Sequence, residues 1–442
     1  MRAILLLVIV AVLCAAALIR PKIGMLAYLW FALMRPDYLA YAQGQYPMSS
    51  GLAVATILGS LIYLHRVRNL FRNPFTLGIL VLQAPILASV IFAVDPTIAT
   101  PEYWLYVRLI IMALWIPLVM ETIEDLRWML LVMAGSLGLL GIKFGLYGVL
   151  AGGVRYAQGY GGFLSDNNCL GLALVMAVPL CWYAQHLLKY RWLKLACIAT
   201  TVLTVAGIVM THSRGAAISL VVTFMAIAWH SRHKALVLVL LVCSSAPFVY
   251  LVADSYSERI STLTDIEDDT SAYARIEYAQ AAIRMWMDYP VFGVGYGSTN
   301  WSRLSFRYLG RADRHVVHNT YLQMLVDSGF FAFAIYCAVL FGAIIWLGRS
   351  LKQVRGNPAM EAVPAAFRCS LIGFAVGSAA LSRVDFDLAY ILLAGSAAWY
   401  IIRKEAPLPA AEALPAPALT PALVSGLQPL AAKGTPMWLG RR

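Results

Sequence analysis

Between Ala253 and Thr320 the chain carries its positive charge entirely as arginine. Arg259, Arg275, Arg284, Arg303, Arg307, Arg311 and Arg314 occur there without a lysine, and the stretch closes on His315 and His318. A guanidinium is a planar fork that stays charged and matches phosphate or carboxylate oxygens. An imidazole, with an ordinary pKa of about 6.5, can take a proton near neutral pH. His318 opens His318-Asn319-Thr320-Tyr321, the last polar step before a long apolar run. It is either a structural residue at a helix entrance or a base for an attacking hydroxyl. Arg275 follows Asp268-Asp269-Thr270-Ser271, which offers N-cap residues for a helix whose positively polarised start favours an anion. With Arg284 it can equally form a solvated or headgroup-facing side of that helix.

Arg214 sits in Thr211-His212-Ser213-Arg214-Gly215-Ala216, a turn joining two apolar runs without a polar linker. That places it at a membrane boundary, where it either snorkels to water or is aimed into a cavity to hold an anion. Arg155 and Lys143 are secondary anion ligands. Lys143 lies inside an apolar run and needs a partner or a wet cavity. Asp166 and Asn167 suit the cap of the helix that follows them.

Other motifs compete with this reading. His315 and His318 are spaced for one helical face, but no HExxH accompanies them, so no metal is expected. Asp385-Phe386-Asp387 has the form of a metal-sugar DxD motif, yet a structural role with Arg383 is preferred for it in so short a connection. The glycines of Gly293-Val294-Gly295-Tyr296-Gly297 follow a helix instead of a strand, which indicates a flexible loop and not a nucleotide fold. No Walker sequence occurs, and no cofactor is expected. The seven cysteines lie in or beside apolar runs without a CxxC pair and read as small buried hydrophobes.

The elements that must position these residues are apolar. Of 442 residues 61% are hydrophobic and only 13% charged, with a mean hydropathy of +0.73, too little polar surface for a soluble globule. The net charge of +12 is dispersed in short clusters between apolar runs, which sets membrane orientation and argues against nucleic acid. Spans need about 20 apolar residues. The runs are 3–19, 23–34, 51–64, 75–93, 103–120, 128–150, 169–187, 193–211, 215–230, 235–252, 321–347, 364–382 and 387–402. Counting the first two as one broken pair gives an all-α polytopic membrane protein of about twelve transmembrane helices.

Lysine and arginine alternate between loops, so that Arg66, Arg68 and Arg72, then Arg127, then Lys189, Arg191 and Lys194, then Arg232 and Lys234, then Arg349, Lys352 and Arg355 face the cytoplasm. The segments 151–168 and 253–320 and the Arg214 turn then face the opposite side. Four regions follow: N-terminal membrane helices over 1–252, a large partly helical outer loop over 253–320, C-terminal membrane helices over 321–404, and a Pro/Ala-rich, disordered cytoplasmic tail over 405–442. In the loop, Ile276, Ala279, Ile283 and Trp286 recur at helical spacing up to Pro290 and predict an amphipathic helix at the membrane interface.

Five motifs in order, Gly162-Phe163-Leu164-Ser165-Asp166-Asn167-Asn168, Ser213-Arg214-Gly215-Ala216, Ser271-Ala272-Tyr273-Ala274-Arg275, Pro290-Val291-Phe292-Gly293-Val294-Gly295 and His318-Asn319-Thr320-Tyr321-Leu322, resemble the bacterial O-antigen ligase family. The resemblance spans roughly Arg20 to Ile402. It implies a GT-C-type glycosyltransferase of the bacterial inner membrane with its active site on the periplasmic side. Such an enzyme moves a glycan from undecaprenyl diphosphate to an acceptor without a metal and with inversion. In the ligases that acceptor is lipid A-core, giving lipopolysaccharide. Carried over, His318 is the base, and Arg214 and Arg275 are the diphosphate ligands. O-antigen polymerases and pilin-glycosylating ligases share the same motifs. The N-terminal part through Asn168 is similar to O-glycosylation ligases found beside exosortase systems, which leaves the acceptor open.

Overall fold

The computed structural model describes the chain except residues 45, 151–158, 163, 165, 232–233, 236–238, 240–241, 244–269, 312–314 and 406–442. Among the described residues every regular element is helical, and the one β-contact is an isolated bridge between Gly161 and Leu164. Met1–Ile402 form one compact unit. Among the described residues nine helices are long and apolar enough to cross a membrane, and Pro21–Met34 and Arg214–His230 are shorter apolar helices. The protein is therefore a polytopic helical membrane protein. The expected run 235–252 and the expected tail lie mostly or wholly outside the described residues.

Helices α1 (Arg2–Ile19) and α2 (Pro21–Met34) are separate elements. The backbone leaves the helical region at Arg20 (φ −133°), where Pro21 cannot extend α1 and instead starts α2. Leu6 and Val10 of α1 share a core with Ala27 and Phe31 of α2, so the pair folds back on itself. After α3 (Pro36–Leu39), α4 (Met48–Gly59) packs on both.

The stretch with Arg66, Arg68 and Arg72, expected as a loop, is helical instead. A 3₁₀ segment Ser60–Arg66 runs into α5 (Val67–Arg72). One of its cations is built in: Arg66 is buried, donates to the Leu118 carbonyl (3.0 Å) and pairs with Glu121 (3.1 Å), which also meets Lys22.

Helices α6 (Pro74–Ile91), α7 (Pro96–Val119) and α8 (Ile123–Leu150) lead to α9 (Asn167–Ala184), on which every side chain from Cys169 to Ala184 is buried. Packed around α9 are α8, α10 (Arg191–Val209), α11 (Arg214–His230) and, later in the chain, α16 (Pro358–Gly377). A helix apolar all round belongs in a core. Alpha-1, by contrast, leaves Ile4, Leu5, Val8, Ile9 and Val12 exposed, as a lipid-facing helix does.

The polar stretch folds as α12 (Thr270–Asp288), α13 (Ser298–Leu304) and α14 (Phe306–Leu309) before α15 (Thr320–Gln353); α17 (Asp387–Glu405) closes the described chain. Tyr278, Ala281, Ala282 and Met285 of α12 form an apolar core with Val294, Trp301, Leu304, Val317 and Val326. A second apolar stripe, at 278, 281, 282 and 285, packs on protein, while Ile276 and Ile283 of the expected interface stripe are exposed. Trp301 is fully buried and donates its indole N–H to the His315 carbonyl (2.9 Å). Truncating a tryptophan in such a place costs about 3–5 kcal/mol.

The glycine-rich strap after α12 is not a loose loop. Val294 and Gly295 donate to the carbonyls of Val326 (2.8 Å) and Asp327 (3.1 Å), and the whole of Gly293–Gly297 is buried. It docks where α15 is interrupted at Gly329 (φ 77°, ψ −178°), a backbone shape open only to glycine. A side chain there would meet the Val291 carbonyl oxygen at 2.0 Å.

Candidate functional site

Five stretches of chain meet around one cavity of about 570 Å³. Each arrives at or near a helix start. Glu102 comes from the second turn of α7, Asp166 and Asn168 from the beginning of α9, Tyr296 to Ser298 from the strap entering α13, His318 from the turn before α15, and Arg383 and Asp385 from the segment before α17. Helix starts carry partial positive charge. Here side chains fill the caps: Asp166 accepts from the Cys169 amide (2.9 Å), and Asn319 accepts from Tyr321 (2.9 Å) and Leu322 (3.1 Å). The expected capping role of Asp166 is thus observed.

His318 is half-buried and adopts φ 56°, the left-handed region that a non-glycine residue occupies only where its surroundings enforce it. Those surroundings are visible. The next amide, Asn319 N–H, donates to Ser382 Oγ (3.2 Å). Thr320 Oγ1 donates to the Leu381 carbonyl (2.5 Å) and accepts from the Arg383 amide (3.1 Å). The His318 turn and the Leu381–Asp385 segment are therefore stapled together. From the other side the Tyr278 ring of α12 meets both imidazoles, with centroids 6.4 Å from His318 and 6.0 Å from His315. The two histidines lie in non-helical chain and share that ring instead of a helical face.

Arg214 is the first residue of α11 and is exposed. It does not line the cavity, but its turn is tied to residues that do. Ser213 Oγ donates to Asn168 Oδ1 (2.8 Å), Asn167 Nδ2 donates to the Thr211 carbonyl (2.9 Å), and Gly215 lies against Ala380. His212 in that turn is also left-handed (φ 50°). Arg275 is half-buried, one helical turn before Tyr278 on α12, and it too stands outside the lining. Neither arginine makes a hydrogen bond or ion pair with the described residues.

The other arginines of the stretch divide differently. Arg303 pairs with Asp95, and Arg311 forms a fork with Glu277 (2.9 and 2.7 Å), so both fasten the outer helices. The Thr97 hydroxyl and the Arg303 guanidinium hold the Asp95 carboxyl below its usual range.

Of the secondary candidates, Lys143 is not brought to the cavity. Lys143 stands over the Tyr160 ring, 4.4 Å from its centroid, which supplies the partner an ammonium within an apolar helix needs. Arg155 lies outside the described residues.

From sequence Arg383 has only a structural role beside Asp385-Phe386-Asp387. Its Nε donates to Cys169 Sγ (3.3 Å), whose thiol contacts Asp166 Oδ2 (3.0 Å), and its Nη1 is 3.8 Å from Asp385 Oδ2. Arg383 and Asp385 face the cavity together, so their preferred structural role omits half of their position, and Cys169 is a polar bridge besides being buried. The one available signal was two oppositely charged residues in a short connection between apolar helices. Glu102, which takes a hydrogen bond from Thr299 Oγ1 (2.5 Å), was hidden inside a stretch read as a loop; a Cβ on Gly297 would meet its carboxylate at 1.8 Å.

The lining thus combines Glu102, Asp166 and Asp385 with Arg383 and His318. Carboxylates accept from hydroxyls, imidazole accepts or carries a proton, and guanidinium holds oxyanions. Such a set suits a polyhydroxylated substrate near a negatively charged group.

No curated protein matches the chain. Residues 1–189 match a family of unknown function, DUF5935. Residues 199–337, which contain the Arg214 turn, α12 and His318, match the family described as O-Antigen ligase. Over that segment the chain is similar to the O-antigen ligase family, whose members are glycosyltransferase-like ligases and polymerases.

Proposed function

We propose that the protein transfers a glycan from undecaprenyl diphosphate to a lipid A-core acceptor at the periplasmic face of the bacterial inner membrane, as an O-antigen ligase of GT-C type with about twelve spans, α1 and α2 counting as one. The observation that carries this reading is the left-handed His318, clamped between Tyr278 and the Ser382–Arg383 backbone in a cavity rich in hydroxyl-accepting carboxylates.

In the proposed reaction His318 takes the proton of the acceptor hydroxyl as its oxygen attacks the anomeric carbon. The bond from that carbon to the diphosphate oxygen breaks, and the diphosphate leaves with the electron pair from the face opposite to attack, inverting the configuration. Arg214, whose turn is hydrogen-bonded to the lining residue Asn168, and Arg275, one helical turn before the Tyr278 that meets His318, stabilise the charge gathering on the leaving group in the way a metal would. Arg383 and the carboxylates orient the sugar. The anomeric carbon lies next to the diphosphate, so the glycan enters the cavity while the lipid stays among the apolar helices.

The test is reaction of the purified protein with undecaprenyl-diphosphate glycan and lipid A-core, read on a gel. Slower-migrating lipid A is the expected product, and His318→Ala removes it while the lipid-linked donor still binds. Full transfer by that variant would refute the base assignment. Lengthened donor with unmodified lipid A would make the protein a polymerase, and a glycosylated protein acceptor would make it a protein O-glycosylation ligase.

A further inference from the structure

At the end of the bundle away from His318 lies a second concavity, of about 370 Å³. From Thr320 to Gly348 helix α15 rises on the order of 40 Å at about 1.5 Å per residue, so the two sites are separated by roughly a membrane thickness. The concavity is formed where α11 and α15 end and α16 begins.

Its charge is one-sided. Arg349, Lys352, Arg355 and Arg368 line it against a single carboxylate, Glu361, which already accepts from the Gly356 amide (2.6 Å). Arg349, Lys352 and Arg355 have no hydrogen bond or ion pair with the described residues. Cations at the end of α15 complement its helix dipole and fit a simple orientation signal. That account does not reach Arg368, which comes from the neighbouring α16 and is built into place. Its Nε donates to the Ile344 carbonyl (3.2 Å) and its Nη1 to His230 Nε2 (2.6 Å). His230 Nδ1 in turn donates to the Ala226 carbonyl (2.8 Å), so the imidazole is neutral and accepts from the arginine. The guanidinium lies directly on Gly348, where a Cβ would come within 2.8 Å of Cζ. A half-buried guanidinium fixed at two nitrogens presents its remaining N–H groups to the concavity. Trp229 beside it is 83% exposed, as aromatic residues are at a membrane–water interface.

We infer that this concavity is a binding site for a phosphate-bearing anion, either the headgroup of an anionic phospholipid or a soluble phosphate. Arg368 supplies the directed donors, and Arg349, Lys352 and Arg355, at and just beyond the end of α15, supply the field. The inference is independent of the transfer reaction at the other end of the molecule.

The full chain is purified in detergent and offered phosphatidylglycerol, phosphatidylcholine or inorganic phosphate, with retention read by native mass spectrometry and protection by thermal unfolding. Lys352→Gln/Arg355→Gln tests the field at exposed positions, and Gly348→Ala tests the seat of Arg368. Each cation near such a headgroup contributes about a fivefold factor, so the double variant is expected to retain the lipid some 10- to 30-fold less well with an unchanged ligand-free melting profile. Preferential retention of phosphatidylglycerol by the wild type identifies a lipid headgroup. Protection by inorganic phosphate without lipid preference, lost in the same variants, identifies a soluble anion. Equal retention of both lipids with no phosphate effect, or unchanged binding in the double variant, overturns the site.

Discussion

Replacing Gly329 by alanine tests whether the docked strap builds the cavity. Gly329 has φ 77° and ψ −178°, a region essentially reserved for glycine, and an alanine there costs about 1–3 kcal/mol in backbone strain. Its Cβ would also meet Val291 O at 2.0 Å and Val291 C at 2.4 Å, backbone atoms that have no rotamer by which to yield. Overpacking of this kind adds about 1–3 kcal/mol. The sum, about 2–6 kcal/mol, falls on the contact between α15 and the Pro290–Gly297 strap, whose Tyr296 and Gly297 line the cavity. Gly310→Ala is the matched control: φ is 70°, but nothing lies within 4 Å of the added atom, so only a left-handed cost of about 1–2 kcal/mol remains. Thermal unfolding of the two variants in the same detergent, with glycan transfer measured in parallel, should show Gly329→Ala the less stable of the two and deficient in transfer, with Gly310→Ala lowered by about 1–2 kcal/mol but retaining transfer. Equal destabilisation of the two, or full transfer by a destabilised Gly329→Ala, would refute the claim that the strap's seat on α15 shapes the site.

Other expectations follow from the same geometry. Arg214→Ala and Arg275→Ala should each weaken donor binding by about 1–3 kcal/mol, measured by titration with the lipid diphosphate, whereas Arg307→Ala, whose guanidinium lies over the Phe306 ring, should not; unchanged affinity in both would remove them from the diphosphate site. Arg383→Gln should lower transfer more than it lowers donor affinity if the residue orients the sugar, and a pure loss of folded protein would assign it to structure alone. The Asp95–Arg303 clasp gives a pH signature. A carboxyl whose folded value is depressed contributes stability above its ordinary value of 3.8 and loses it as pH falls through the folded value, so wild type should lose more stability than Asp95→Asn on acidification below that point. Parallel acid-unfolding curves would contradict it.

The sequence exposed the spans because lipid demands long apolar helices, and it exposed the caps because Asp166 and Asn319 act within a few residues of themselves. It was weaker wherever partners are distant in the chain. Arg66 looked like a loop cation because its acceptors at Leu118 and Glu121 are far away in sequence, and the protein-packed stripe of α12 at 278, 281, 282 and 285 did not stand out because its partners Trp301 and Val326 are equally distant. The strap was read as loose for a related reason. Its glycines permit many conformations, and only the break in α15 and the Glu102 carboxylate, both elsewhere in the chain, confine them to one.

Arg383 shows why the site was harder to read than the fold. A base and anion-binding arginines announce themselves by type, whereas Arg383 gains its meaning from Thr320 and Cys169, which place its backbone and its guanidinium respectively. The same hydrogen bond from the Arg383 amide to Thr320 Oγ1 fixes the turn that forces His318 into the left-handed region. The cost of holding His318 there, about 1–2 kcal/mol, is thus met by the segment that also presents the cavity's guanidinium. Positioning of His318 and of Arg383 is consequently one structural event, and a substitution at Thr320 should disturb both, although Thr320 is itself buried and outside the cavity lining.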